Sequence, residues 1–487
     1  MTENIKEPSL VDALIPVVSL ILMLGLSVYL FGSDSSSGPN QIVLITGAAI
    51  AAIVALKNGL TWPGIFEAIV DGITTAMGAI LILLSVGALI GTWLMSGTVP
   101  SLIYFGLELL DPNWFYAAAC VICAISALSI GSSWTVAGTL GVALIGIAGG
   151  LGLNPAIAAG AIISGAYFGD KMSPLSDTTN LAPAVVGTDL FTHIRHMAWT
   201  TGPSFGIALV LYALLGLGAG SGGDVAALES LKTTLNDNFQ ISAITLVPLV
   251  VVFFLAFKKV PPVPTILFGA LLGGLFAVVM QPQVVVAFAN SPELSPGLAM
   301  TKGVWLALAD GYAATTGVAE VDSLLSRGGM SSMLNTIWLV ICALSFGAVL
   351  EHAGILKRLV QSALAAAKST GSLIMTVVLS CIGINIIAAD QYIAIVLPGK
   401  MYKAEFERRK LDSRNLSRVI EDSGTLTSPL VPWNTCGAFM AGTLGVATFA
   451  YLPFAFLNLI NPVVSIIYGF TGFTIKRVED EAVPQTA

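Results

Sequence analysis

Charged side chains are scarce in this chain: Asp, Glu, Lys and Arg make up only 10% of its 487 residues, against roughly 25% in soluble domains. With 55% of positions hydrophobic, a water-soluble globule is excluded. Cysteine is sparse too. Cys120, Cys123, Cys342, Cys381 and Cys436 all lie inside apolar segments, and no further Cys or His stands near the Cys120/Cys123 pair to complete a zinc site. These residues read as helix packing. Positive charge is in deficit, with a net charge of -7 and no basic stretch interleaved with aromatics, which argues against a nucleic-acid partner. The N-terminal segment lacks the positive start and small-residue cleavage site of a secretory leader, so the first apolar run reads as a retained span.

What is present is apolar sequence in long runs. Crossing about 30 Å of hydrocarbon takes about 20 apolar residues, and such runs cover 10–31, 41–56, 73–95, 196–217, 241–257, 263–280, 334–351 and 449–475. The 50 glycines are scattered through them, as in membrane helices. Other stretches are interrupted. Segment 113–153 is broken by Gly131-Ser132-Ser133, segments 155–186 and 419–447 turn polar in the middle, and 372–399 carries Asn385 and Asp390 near its centre.

Cytoplasmic loops collect Lys and Arg. With the N-terminus inside and the spans alternating, the inside set holds 17 basic residues and the outside set only Lys232, Lys302 and Arg327. Lys171 alone falls within a crossing. Both flanks of 372–399 are then inside, which predicts a re-entrant hairpin with its tip near 385–390. Non-helical backbone at that depth must be buried in protein or line a watered cavity. Segment 113–153 is either the matching hairpin, with residues 131–135 at its tip, or two complete helices. The basic run 400–418 reads as a cytoplasmic helix near the lipid surface.

A repeat links the halves. Residues 84–89, LSVGAL, recur as LSFGAV at 344–349, and Ser173-Pro174-Leu175 recurs as Ser428-Pro429-Leu430, in the same order. The helix with the first copy runs into a loop without basic residues, and the second runs into Lys357, Arg358 and Lys368. The two copies therefore point in opposite directions, the inverted-repeat arrangement of secondary transporters, whose sites lie on interrupted helices near the midplane. The expected fold is an all-α polytopic membrane protein of about ten crossings plus two hairpins. Residues 1–218 form the first repeat, 219–240 an external linker, 241–475 the second repeat and 476–487 a cytoplasmic tail. Both termini are expected in the cytoplasm of a bacterial cell, at its inner membrane.

The chemistry concentrates in the interrupted segments. Residues 169–180, GDKMSPLSDTTN, put Asp170, Ser173, Ser176, Asp177, Thr178, Thr179 and Asn180 between apolar flanks, where charge is costly and signals function. Pro174 removes a backbone donor. Carboxylates, hydroxyls and freed carbonyls together form a hard oxygen cage suited to alkali or alkaline-earth cations. The other half offers Thr427, Ser428 and Asn434, and the hairpin tips add Ser133 on one side and Asn385 and Asp390 on the other. Na+ is expected at Asp177, Asp390, Asn180 and Thr178, with Asp177 foremost. Asp170 adjoins Lys171, which could neutralise it. Asp422, beside Glu421, reads as a solvated helix start, and His193 and His196 as decorations of a positive loop.

The stretch 169–183, GDKMSPLSDTTNLAP, closely resembles the NhaC family of bacterial sodium/proton antiporters, as do 388–392, AADQY, and 427–435, TSPLVPWNT. The resemblance extends over nearly the whole chain. It implies an inverted-repeat fold of the ion transporter superfamily, commonly dimeric, and an exchange of Na+ for H+. That superfamily also contains malate/lactate exchangers coupled to the same ions, with similar motifs. Organic anions usually need a cationic side chain at the midplane, and Lys171 is the only Lys or Arg in any expected span interior, which favours cations alone. A cation channel is a third reading. No nucleophile set, metal-ligand cluster or nucleotide loop suggests an enzyme. Beyond the lipid bilayer and a homodimeric partner, only the cargo ions Na+ and H+ are expected, with no resident cofactor.

Overall fold

A computed structural model of the chain describes residues 6–218 and 225–478. Among them the only secondary structure besides helices and turns is two isolated bridges, Tyr312 to Arg327 and Leu411 to Arg477. The 219–240 linker is described from Val225 on, where it is a helix, and the 476–487 tail only to Val478.

The chain opens with α1 (Leu10–Phe31) and α2 (Pro39–Lys57). Ser9 caps α1 while Asp12 bonds back to the Ser9 amide at 3.1 Å, a reciprocal arrangement that satisfies two orphan donors. Asp12 also takes the Lys57 ammonium at 2.6 Å, so the start of α1 meets the end of α2 and the two run up and down. Next come α3 (Trp62–Thr75), α4 (Met77–Met95), α5 (Thr98–Leu109) and α6 (Phe115–Ile130). After them α7 (Ser133–Val136) runs through a π-turn into α8 (Val142–Gly150). The first half closes with α9 (Pro155–Met172), α10 (Asp177–Val186) and α11 (Leu190–Gly216).

The second half contains α12 (Val225–Asn238), α13 (Val247–Phe257), α14 (Pro262–Met280), α15 (Pro282–Ala289), α16 (Pro296–Asp310), α17 (Ala319–Leu325), α18 (Leu334–His352) and α19 (Ile355–Ala366). They are followed by α20 (Thr370–Ile387), α21 (Gln391–Arg408), α22 (Ser413–Ile420), α23 (Thr435–Leu444), α24 (Thr448–Tyr451) and α25 (Phe456–Thr471). Element bounds recur at a nearly constant spacing. Helices α4 and α18 are each 19 residues long, and α5 and α19 are each 12 and follow left-handed glycines, Gly97 and Gly354. Helices α10 and α23 are each 10 and end on left-handed Gly187 and Gly445.

Among the described residues eight helices are long and apolar enough to cross a membrane, and two further pairs, bent by 87° and 90°, pass the same test together. Large apolar side chains such as Leu22, Ile42, Leu214 and Val279 point outward from α1, α2, α11 and α14, a surface suited to lipid tails rather than water. Inside, one hydrophobic core forms around α4, α6, α8, α9 and α14 and a second around α2, α18, α20 and α21.

Segment 113–153 folds back on itself at Gly131–Ser133. Tyr116, at the start of α6, accepts the amide of Asn154, just past α8, at 3.0 Å, so both ends lie on one side. Gly165 and Gly169 let α9 run beside α6, because a Cβ would come within 2.0 Å of the Cys120 carbonyl oxygen and 2.2 Å of that of Ala124. The second hairpin is longer than the 372–399 of the sequence reading. Arg409, just past α21, donates to the carbonyls of Ser369 and Ala367 at 2.9 and 2.5 Å, pinning both ends together. Its tip, at Ala388-Ala389-Asp390, turns through a left-handed Ala389.

Several sequence expectations are corrected. The run 400–418 is not a helix lying on the lipid surface: Lys400 to Arg408 continue the hairpin arm α21, Tyr402 and Phe406 are buried, and Arg418 is fully buried in α22. Helix α11 begins at Leu190, so His193 and His196 are buried on it instead of lying in a loop. Segment 449–475 is not one continuous helix, because α24 and the 3-10 turn Leu452–Phe454 end at the non-helical Ala455 before α25 begins.

Candidate functional site

The two hairpin tips meet the two interrupted segments at the floor of one cavity of about 980 Å³. Helices α3, α4 and α18 form its other wall. On the first tip, the α6 helix ends at Gly131, whose φ of 77° suits a residue without a Cβ. Ser132 then caps α7, accepting the Thr135 amide at 3.2 Å. This start aims the backbone N–H of Ser133 at the last turn of α9, where Ser133 N and Oγ both donate to Asp170 Oδ2, at 3.0 and 2.6 Å. Asp170 is buried, and its Oδ1 has no hydrogen-bond partner among the described residues. Such a carboxylate holds one oxygen fixed and offers the other.

The break after α9 is held by hydroxyls. Thr179 Oγ1 donates to the carbonyls of Lys171 and Asp170 at 2.9 and 3.2 Å, satisfying acceptors that the helix end leaves free. Ser173 donates to the Leu128 carbonyl at 2.8 Å, tying the break to α6. Ser176 caps α10, and its hydroxyl lies 3.2 Å from that of Thr178. Asp177 is exposed to the cavity: one oxygen accepts the Thr178 amide at 2.8 Å and the other accepts the Tyr392 hydroxyl. Asn180 faces away from the cavity lining and donates to the Ser176 and Pro174 carbonyls at 2.6 and 3.0 Å.

On the second tip, Asp390 caps α21, accepting the Ile393 amide at 2.9 Å, and lines the cavity. Beside it Gln391 accepts from the Ser428 hydroxyl at 2.6 Å and the Cys436 thiol at 3.0 Å. Asn385 donates to the Gly424 carbonyl at 2.7 Å and to Thr427 at 3.0 Å. Asn434 donates to Asn385 Oδ1 at 3.1 Å and caps α23. These amides and hydroxyls spend their polar atoms on one another and so fix the shape of the floor. Of the expected residues, Ser133, Asp170, Asp177 and Asp390 come together on the cavity lining.

Lys171 does not neutralise Asp170. Its ammonium bonds Asp422, with both side chains fully buried. Asp422 is thus no solvated helix start: Thr200 donates to its Oδ1 at 3.0 Å, and the Arg418 guanidinium stands 3.9 Å from its Oδ2. Glu421, also fully buried, has no hydrogen bond at either oxygen among the described residues. The sequence reading missed Glu421, although a Glu-Asp pair directly after the apolar Val419-Ile420 is the signal that could have found it. The cavity walls add Glu67, Asp71 and Glu351 to the floor acids, against Lys400 and His352. A concave site lined by one sign of charge concentrates the opposite ion, here a cation.

Residues 165–473, which include the polar stretch 169–180, segment 419–447 and the second hairpin, match the Na+/H+ antiporter family. The chain is 39% identical to the Na+/H+ antiporter NhaC of Alkalihalophilus pseudofirmus over 91% of its own length and 92% of the relative. It is 38% identical to the malate-2H+/Na+-lactate antiporter of Bacillus subtilis, with 99% and 98% covered. With the arginine/ornithine antiporter ArcD of Halobacterium salinarum the identity is 37%, over 99% and 96%. With a helical membrane architecture, a cation-attracting cavity and these likenesses, the chain belongs to the Na+/H+ antiporter family.

Proposed function

We propose that this chain is a secondary antiporter that exchanges Na+ for H+ by mutually exclusive occupancy of the acids on the cavity floor, foremost Asp170, with Asp177 and Asp390 beside it. The observation that carries the reading is the unpartnered Asp170 oxygen at the floor of an acid-lined cavity. An ionised carboxylate without a full set of partners is costly to bury, so this group needs a proton or a metal cation. It has room for one positive partner at a time. Na+ is a hard ion that takes oxygen ligands, and carboxylate and hydroxyl groups supply them.

The recurring element bounds support an alternating-access reading. We read 1–218 and 241–475 as inverted repeats, with both termini cytoplasmic and the cavity open to the cytoplasm of a bacterial cell. Rocking of the hairpins and broken helices against the rest would expose the same floor to the other side. The malate/lactate reading draws on one relative, but an organic anion would meet six acids on the lining and a Lys171 already committed to Asp422. The cation reading is therefore the better supported.

Everted membrane vesicles carrying an imposed proton gradient and a pH-sensitive dye provide the test. Na+ should dequench the dye in the wild type and fail to do so in Asp170→Asn. Dequenching only with malate or lactate would transfer the assignment to an organic-acid exchanger, and ohmic conductance without countertransport would transfer it to a channel.

A further inference from the structure

Lys171 immediately follows Asp170, and its stem is long enough to turn toward that carboxylate. Successive residues on a helix do not face the same way, however, and Asp170 is turned to Ser133 while Lys171 is turned to Asp422. The Lys171 partner comes from the other half of the chain, 251 residues away. We propose that Asp422 is a positioning residue: it holds and neutralises the Lys171 ammonium, keeping the Asp170 carboxylate available to a cation and thereby setting the cation affinity of the cavity floor. The inference rests on reading Asp170 as the cation ligand.

Three features support it. The pair is fully buried, and a buried ion pair adds little net stability over apolar side chains of the same volume, so stability alone does not account for it. Asp422 is further engaged by Thr200 and faced by Arg418, which keeps its carboxylate fixed. Finally, apart from Asp422 itself, the buried carboxylates with an oxygen lacking a hydrogen bond among the described residues are Asp170, next to Lys171 in sequence, and Glu421. A lysine released from Asp422 would turn to one or the other, and in either case the floor would become more positive by one charge.

Opposite charge changes should move Na+ affinity in opposite directions, which a merely structural pair would not do. In vesicles, Asp422→Asn should raise the half-saturating Na+ concentration at least about tenfold, the least expected from an uncompensated unit charge in a partly screened interior, with a smaller effect on maximal rate. Lys171→Met leaves Asp422 facing Arg418 and should lower the half-saturating concentration. The double variant Lys171→Met/Asp422→Asn should lie between the two, close to wild type. If Asp422→Asn does not fold, the direction of change in Lys171→Met decides. A Lys171→Met half-saturation that is unchanged or raised, or a shared loss of maximal rate in all three variants at unchanged half-saturation, overturns the proposal. Asp170→Asn run alongside separates the two levels: a Na+ response surviving there refutes the site reading itself, whatever the Asp422 series does.

Discussion

Replacing Ser133 by alanine removes the hydroxyl that donates to Asp170 Oδ2 at 2.6 Å and leaves the backbone N–H at 3.0 Å in place. Alanine is a good helix former, so α7 should keep its start. A hydrogen bond to a charged group contributes about 1.5–3 kcal/mol, and this one favours the ionised carboxylate, the form that binds Na+. At the lower figure protons should compete about tenfold better, since about 1.4 kcal/mol is a factor of ten. The change has a pH signature. Where protons compete strongly, at the acid end of the working range, the half-saturating Na+ concentration of Ser133→Ala should exceed wild type about tenfold. As pH rises and competition fades, the two curves should converge. Dye dequenching at a series of Na+ concentrations and pH values measures this directly. A constant ratio at all pH values would mean that Ser133 acts as a Na+ ligand or a packing element, and it would refute the competition argument.

Two further outcomes follow from the packing and the loop before α18. Gly165→Ala should force α6 away from α9, because the new Cβ would lie 2.0 Å from a backbone oxygen; overpacking of this kind costs about 1–3 kcal/mol. In detergent it should melt below Gly383→Ala, whose Cβ meets nothing within 4 Å, and it should lose antiport as Ser133 shifts off Asp170. Equal melting temperatures would contradict the close helix pairing. In the loop before α18, the Thr316 hydroxyl and amide bond Asp322 at 2.7 and 2.6 Å and hold its carboxylate below the ordinary range. A depressed folded value means that this stabilisation is complete above the unfolded carboxylate range, near about pH 4, and fades as pH falls through it. Hydrogen exchange across 311–329, corrected for intrinsic rates, should rise on acidification in the wild type and change little in Asp322→Asn, where the amide has nothing to titrate.

Much of the architecture was legible in the sequence because lipid imposes simple demands. Apolar runs located α1, α2, α4, α14 and α18, and the basic flanks of 372–399 called for a hairpin with its tip near 385–390, where the chain turns at Ala388-Ala389-Asp390. The interrupted segment 169–180 offered Asp177 foremost and Asp170 among its candidates, and these two of its residues line the cavity. What escaped was charge that folds inward. Arg418, Asp422, His193 and His196 were assigned to loops and surfaces because an isolated buried charge is costly, and that cost falls only when a partner is present. The partner of Lys171 lies in the other half of the sequence, and no local pattern announces it. The acidic wall of the cavity was hidden for a different reason. Helix α3 is amphipathic and shorter than a span, so no long apolar run marks Glu67 and Asp71, which reach the cavity lining only because α3 packs beside α18.

The central claim is that one floor carboxylate cannot hold a proton and a sodium ion together. Adding Na+ to purified protein in weakly buffered detergent solution, while recording pH, tests it with no transport step involved. The account predicts proton release that saturates with Na+ binding, diminishes at alkaline pH, and is absent in Asp170→Asn. Saturable Na+ binding without proton release at any pH, or undiminished release from Asp170→Asn, would contradict it.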